Sequence, residues 1–289
     1  MKRIILLLLA LGTAAAPAPA QEVGPARGSL VVVGGAMSDP AIVDRFITLA
    51  GGPDAHIVVI PTAGGAEAYD DFYGGLQQFR ERGARNLTVL HTIDPAEADT
   101  EAFVAPLRTA GGVFFPGGRQ WRLADSYLGT LTQDAVQEVL DRGGVVGGTS
   151  AGATILGSYL VRGDTRTNTI MMGDHEEGFG FLRDVAVDQH LLRRNRQFDL
   201  LEVVEAHPEL LGIGLDENTA IVVQGDRFEV LGEGYVAIYD PRLLVEAPGR
   251  FYFLAPGDRF DLATREASRP VGRTAPVPVP WLPERPGGA

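Results

Sequence analysis

The stretch Gly144-Val145-Val146-Gly147-Gly148-Thr149-Ser150-Ala151-Gly152-Ala153-Thr154-Ile155-Leu156 decides how the rest of the chain is read. Its first part, Gly144 to Gly147, is glycine-rich and β-branched and enters a strand. Its last part, Ala151 to Leu156, has the composition of a helix start. Between them Gly148 to Gly152 fits G-x-S-x-G. Strand, sharp turn and helix together form the setting in which a serine hydroxyl projects above a parallel sheet. Bulky residues at either side of the serine would collide with the crossing helix or with a substrate, and Gly148 and Gly152 remove that crowding. The hydroxyl then stands at a helix N-terminus, where free N–H groups and the helix dipole favour negative charge. The N–H of Ala151 is one candidate oxyanion donor. A backbone N–H in the Gly117-Gly118 turn is the second. A tight turn without chemistry and a phosphate cradle are the competing readings. Phosphate cradles usually add a Lys or a third spaced Gly, and this stretch has neither.

The same alternation runs through the N-terminal half. Leu30 to Val33 is a buried strand that ends at Gly34-Gly35. Ile42, Phe46, Ile47 and Leu49 form a helical stripe stopped by Gly51-Gly52-Pro53. His56 to Ile60, Leu87 to Leu90 and Val113 to Phe115 read as strands. Helices are expected over residues 67–82, over 97–108 and, with a break near Gly129, over 119–142. Near-continuous apolar strands between amphipathic helices predict an α/β fold: a mostly parallel sheet with helices on both faces. Its loops gather at the carboxyl ends of the strands, where ligands bind. The glycine pairs 34–35, 64–65 and 117–118 all follow strands and share that edge. After about residue 209 the texture changes. Ile213 to Leu215, Ala220 to Val223, Phe228 to Leu231, Tyr235 to Tyr239 and Phe251 to Leu254 are short strands, which predict an antiparallel β extension toward the C-terminus.

The chain has 289 residues, a net charge of −12, 37 Gly, 19 Pro and no Cys. No disulfide scaffold, thiolate zinc site or cysteine nucleophile is available. The acidic balance argues against a nucleic-acid partner, which would require basic surface. Met1-Lys2-Arg3, the apolar run Ile4 to Leu11 and the small residues up to Ala20 have the order of a secretory signal peptide. That run is short of the ~20 residues a membrane span needs. Residues 1–20 are therefore expected to be cleaved near Ala20 and the product to be periplasmic or secreted. The folded body is expected over residues 28–262 as one α/β unit. Residues 263–289, rich in proline, read as an extended tail. A homodimer is compatible with the sequence, which does not set the subunit number.

A serine nucleophile needs a base. His56 and His91 border strands, His207 precedes Pro208 at a helix end, and His175 lies in the acidic run Asp174 to Glu177. No second histidine sits at helical ligand spacing from His175, so no metal ligand set is assigned. His190 differs. Val185 to Val187 reads as a strand, Asp188-Gln189-His190 lies at its end, and a helix carrying Arg193, Arg194 and Arg196 is expected to follow. A base and several cations are thereby grouped.

With these segments in hand, the chain resembles the cyanophycinase and aspartyl dipeptidase family of serine peptidases. The matching pieces are Gly-Thr-Ser-Ala-Gly-Ala at 148–153, Asp-Gln-His at 188–190 with Arg194 and Arg196 behind it, Gly-Gly-Arg-Gln at 117–120, and Gly-Ile-Gly-Leu-Asp-Glu-Asn-Thr-Ala at 212–220. The resemblance implies a fold like class I glutamine amidotransferase domains, with serine replacing cysteine. It implies peptide hydrolysis through Ser150 as nucleophile and His190 as base, with no cofactor and no metal. It further implies a substrate pocket that takes an aspartyl-containing peptide and is lined by Gln120, Gln189, Arg194, Arg196 and Glu217. Cyanophycin, or its β-aspartyl-arginine-type linkages, is the named instance. Two positions depart from the cyanophycin-degrading pattern: Arg119, where such members usually carry Asp, and Asp199, where they tend to carry Arg. For the third member of the triad, Asp164 in Arg162-Gly163-Asp164 is preferred, because it resembles the acid of aspartyl dipeptidases and gives the order Ser, Asp, His. Glu217 is the alternative. Either would hold His190 in the right tautomer. Two other functions stay open at this stage: a non-catalytic binder of an acidic ligand, and a serine-dependent esterase or amidase.

Overall fold

A computed structural model describes residues 22–244 and 251–270. The expected signal segment and the tail beyond Pro270 lie outside the described residues. In chain order the strands are β1 (Ser29–Val33), β2 (His56–Val59), β3 (Asn86–Val89), β4 (Gly112–Phe115), β5 (Val145–Thr149), β6 (Gly157–Tyr159), β7 (Leu182–Asp188), β8 (Leu211–Leu215), β9 (Thr219–Gln224), β10 (Arg227–Gly232), β11 (Val236–Tyr239), β12 (Tyr252–Leu254), β13 (Arg259–Asp261) and β14 (Glu266–Ser268). The helices that matter below are α1 (Pro40–Ala50), α2 (Gln77–Glu81), α3 (Pro95–Ala98), α4 (Glu101–Val104), α5 (Gln120–Tyr127), α6 (Leu131–Asp141), α7 (Ala151–Thr154) and α8 (Leu200–Ala206).

Two sheets result. The larger runs β14-β13-β10-β9-β1-β5-β4-β2-β3. Its β1, β5, β4, β2 and β3 are mutually parallel, and β9 turns antiparallel against β1. Alternate residues of β1 serve opposite faces. Val31 and Val33 pack with α1 and α2 through Ile42, Phe46, Ile47 and Phe79. Leu30 and Val32 belong to the opposite core, which takes Leu123 of α5 and Val136, Val139 and Leu140 of α6. A strand buried on both faces must be apolar at every position, which is why β1 shows no alternation. Helix α1 starts where Asp39 accepts the N–H of Ala41 and Pro40 opens the first turn, and it ends at Gly51 in the left-handed conformation.

The smaller sheet runs β12-β11-β8-β7-β6. Here β6, β7 and β8 are parallel, while β11 and β12 are antiparallel. Leu182, Val185, Val187 and Ile213 join the large sheet's core on one side. Ala186, Ala237 and Tyr239 pack with Leu200, Val203 and Val204 of α8 on the other. The antiparallel extension is therefore divided: β9, β10, β13 and β14 lengthen the large sheet, and β11 and β12 edge the small one. β14 also lies past the boundary near 262 that the prolines suggested.

Two expected helices are shortened and a third does not form, each for a local reason. Over residues 67–82 the helical turns begin only at Gly74, because Asp70 folds back to accept the N–H of Phe72 and Gly74-Gly75 follows. Over 97–108 the segment breaks into α3, α4 and a 3-10 turn. Thr100 caps α4 by accepting the N–H of Phe103, and Pro106 cannot continue a regular helix. The arginines after His190 stand on turns and not on a helix. Asn195 at φ 55° interrupts any helix there, and α8 begins at Leu200.

Candidate active site

The end of β1 is the joint of the site. Three successive carbonyls there take three N–H groups from distant segments: Val33 from Ser150 at 3.0 Å, Gly34 from His190 at 2.8 Å and Gly35 from Asn218 at 2.8 Å. The serine turn, the end of β7 and the β8–β9 turn are thereby locked to one peptide run. The two sheets contribute different members: Ser150 follows β5 of the large sheet, His190 follows β7 of the small one, and Glu217 sits between β8 and β9.

Ser150 has φ 55° and ψ −116°, a conformation that costs of order 1–3 kcal/mol for a residue with a side chain and is held by its surroundings. The two flanking glycines are required by close packing. A Cβ at Gly148 would lie 2.1 Å from the carbonyl oxygen of Gly152, and one at Gly152 would lie 1.9 Å from that of Phe115. The strand and the crossing helix thus approach more closely than any side chain allows.

Ser150 Oγ lies 2.9 Å from His190 Nε2, and His190 Nδ1 lies 2.7 Å from Glu217 Oε1. The second Glu217 oxygen is 3.8 Å from Arg193 Nε. Gly35, at φ +133°, forms the floor under the imidazole, since a Cβ there would lie 2.3 Å from His190 Cε1. Burial pushes the His190 pKa down, the Glu217 hydrogen bond pulls it up, and the Arg194 and Arg196 charges push it down again. The net direction is below the usual histidine value of ~6.5, so the ring is a neutral acceptor near pH 7.

Of the expected oxyanion donors, Ala151 follows the serine directly, and the Gly117-Gly118 turn meets it through Gly117. Ala151 is the first residue of α7, so its N–H lacks an intrahelical acceptor. Gly117 stands beside the serine, where an added Cβ would lie 3.2 Å from Ser150 Cβ. Gly118 follows at φ +148° and packs on the Ala63 carbonyl, which also takes the N–H of Arg119 at 2.8 Å.

The carboxylate hydrogen-bonded to His190 Nδ1 is that of Glu217, the alternative, while Asp164, the preferred acid, has other partners. Asp164 is 2 % exposed, and its carboxylate accepts the N–H groups of Arg166 at 2.9 Å and Thr167 at 3.0 Å, organising its own loop. The residues expected to line a pocket divide. Gln120 is buried and donates to the Val161 carbonyl at 2.8 Å. Gln189 accepts from Arg196 at 3.0 Å, and Arg196 is buried, while Arg194 is exposed. Arg119 donates to the Asp164 carbonyl at 2.5 Å, and Asp199 accepts from Arg162 at 2.6 Å. His175 bridges Asp125 at 2.7 Å and Asp174 at 3.0 Å. In the sequence Gly34-Gly35 reads as a turn; in the structure it follows Val33 as part of the anchor of three segments. The signal was present in the glycine pair directly after the most apolar strand.

A strained serine on a strand–turn–helix, at the edge of an α/β sheet and within hydrogen-bonding distance of an imidazole, is the architecture of a serine-type hydrolase. Comparison with known proteins narrows that class. The model of peptidase family S51 matches residues 30–231. A cyanophycinase of Geminocystis herdmanii is 33% identical over 262 residues, covering 83% of this chain and 96% of the relative. A cyanophycinase of Synechococcus elongatus is 37% identical over 225 residues, covering 75% and 69%. Among solved structures, a peptidase from an acI-B1 Actinobacterium superposes with a TM-score of 0.62 at 26% identity, covering 82% of this chain and 98% of that one. The chain belongs to peptidase family S51 and is a cyanophycinase-like peptidase. Among the described residues, no helix is long and apolar enough to cross a membrane.

Proposed function

We propose that this chain is an exported serine peptidase that cleaves aspartyl-containing peptides, with cyanophycin and its β-aspartyl-arginine-type linkages as the first substrates to test. Ser150 is the nucleophile, His190 the general base and Glu217 the acid that orients it. The observation that carries this reading is the unbroken path from Ser150 Oγ to His190 Nε2 at 2.9 Å and from His190 Nδ1 to Glu217 Oε1 at 2.7 Å. The scaffold proposed is of the class I glutamine amidotransferase type with serine in place of cysteine. The five parallel strands and the serine turn after β5 support it.

Neutral His190 takes the Ser150 proton as the oxygen attacks the peptide carbonyl. Glu217 stabilises the imidazolium that forms and keeps the Nδ1 proton on its own side. The N–H groups of Ala151 and Gly118 receive the developing oxyanion. His190 then gives its proton to the departing amine, leaving an acyl-enzyme. Water, deprotonated by the same imidazole, releases the acid and restores Ser150. Arg194 and Arg196 supply positive charge for the substrate carboxylates. Export is supported by the order of residues 1–20, and N-terminal sequencing of the mature product should begin at Gln21.

The test is hydrolysis of cyanophycin, a β-aspartyl dipeptide and a simple ester by the full chain and by Ser150→Ala. Aspartyl-peptide cleavage that exceeds ester cleavage and falls by several orders of magnitude in the variant is expected. Near-normal turnover by Ser150→Ala would refute the mechanism.

A further inference from the structure

The buried charges beside His190 are unevenly matched. Arg162 is 1 % exposed and sits at φ 57°. Its Nε and Nη2 donate to the two Asp188 oxygens at 2.8 and 2.9 Å, and Nη2 also donates to Asp199 Oδ2 at 2.6 Å. Its Nη1 donates to the Asn168 carbonyl at 3.0 Å. One guanidinium therefore satisfies two carboxylates, with the fork geometry that arginine provides and lysine lacks.

Arg196 is the second buried cation, 7 % exposed. Both acceptors of its Nη1 belong to Gln189: the backbone carbonyl at 3.1 Å and Oε1 at 3.0 Å. Asp188 Oδ1 stands off at 4.0 Å, already taken by Arg162 and by the N–H of Gln189. Burial, and then the Arg162 charge, bring the Arg196 pKa down to about 10. A desolvated guanidinium whose hydrogen bonds go to neutral acceptors, with its neighbouring carboxylate no nearer than 4.0 Å, is unusual, because buried charges are normally paired and hydrogen-bonded.

We propose that Arg162 is a positioning residue for substrate recognition: by saturating Asp188 and Asp199 it keeps both carboxylates from hydrogen-bonding to Arg196 and leaves that guanidinium to receive a substrate carboxylate. Asp199, through its charge, sets how strongly the carboxylate is held. This inference rests on the peptidase reading of Ser150. Without Arg162, Arg196 closes the short gap to Asp188 and is no longer free for substrate. Without the Asp199 charge, the grip of Arg162 on Asp188 persists and the field at Arg196 becomes more positive.

The experiment measures kcat and KM of the full chain with a β-aspartyl dipeptide and with the same dipeptide amidated at its free carboxylates. Fluorophosphonate labelling of Ser150 is run in parallel. The wild type should favour the carboxylate form. Arg162→Met should raise KM for that form about tenfold or more and change KM for the amidated form less than about twofold, with Arg162→Lys between the two. Asp199→Asn, on a side chain 38% exposed, should lower KM for the carboxylate form about threefold at unchanged labelling rate. Arg162→Met removes the partner of a buried carboxylate, so its folding is checked by thermal unfolding; if it does not fold, Arg162→Lys and Asp199→Asn decide the matter. KM values that move equally for both dipeptides, or a wild type that does not distinguish them, would overturn the proposal. Loss of labelling in the wild type would instead overturn the reading of Ser150.

Discussion

Replacing Glu217 by Gln keeps the size of the side chain and removes its charge, and the structure sets the cost. The carboxylate lies 2.7 Å from His190 Nδ1 with the side chain 26% exposed. In the transition state of the proposed mechanism His190 becomes an imidazolium, so what is lost is the attraction between that cation and the Glu217 anion. At ~4 Å between charge centres and an effective dielectric near 20, this attraction is about 4 kcal/mol. Each ~1.36 kcal/mol is tenfold in rate, so kcat should fall by about 10³. The Asp164 carboxylate serves its own loop through the N–H groups of Arg166 and Thr167, so Asp164→Asn should change kcat less than about threefold. The assay is steady-state hydrolysis of a β-aspartyl dipeptide by both variants, with circular dichroism to confirm folding. The Glu217 hydrogen bond raises the His190 pKa, so the acid limb of the residual activity should also move to lower pH. A folded Glu217→Gln enzyme with near-normal kcat, or an equal loss in Asp164→Asn, would refute the assignment of the acid.

Three further outcomes are expected. In the proposed mechanism His190 works as neutral imidazole, and its pKa lies below the usual histidine value, so kcat/KM should be full above that pKa and lost as pH falls through it. A pH profile should place the midpoint under ~6.5, and Arg194→Ala, which removes a charge that lowers the pKa, should shift it upward. Gly35→Ala puts a Cβ 2.3 Å from His190 Cε1, so kcat should drop about 10²-fold as the ring is displaced, measured against substrate binding by calorimetry. Phe46 is fully buried and meets Phe79 and Phe114 edge-on at 5.7 and 5.3 Å, so Phe46→Ala should cost about 3–5 kcal/mol and lower Tm by about 10 °C in a thermal melt.

The parts of this molecule readable in the sequence are those whose determinants are local. Ser150 announces itself because its strand, its two glycines and its helix are contiguous. His190 does so because it ends an apolar strand and is followed by arginines. The parallel strands were legible because burial on both faces forces unbroken apolar runs. The partner of His190 Nδ1 was not legible, because it depends on which turn arrives beside that atom. The β8–β9 turn arrives there because Gly35 accepts the N–H of Asn218, a bond between residues far apart in the chain. The split of the C-terminal strands between two sheets was hidden for the same reason: β9 and β8 are neighbours in sequence, yet β9 pairs with β1 and β8 with β7. Helices over 67–82 and 97–108 were overextended because apolar periodicity continued through residues whose side chains cap or turn the backbone, Asp70 and Thr100 among them.

Covalent labelling of the full chain by a fluorophosphonate, followed by peptide mass spectrometry, probes the serine and imidazole together. The account predicts one adduct, on the peptide containing Ser150, formed in step with loss of peptidase activity and at least about 10²-fold more slowly in His190→Ala. An adduct on another residue, or complete inhibition with Ser150 unmodified, would contradict it.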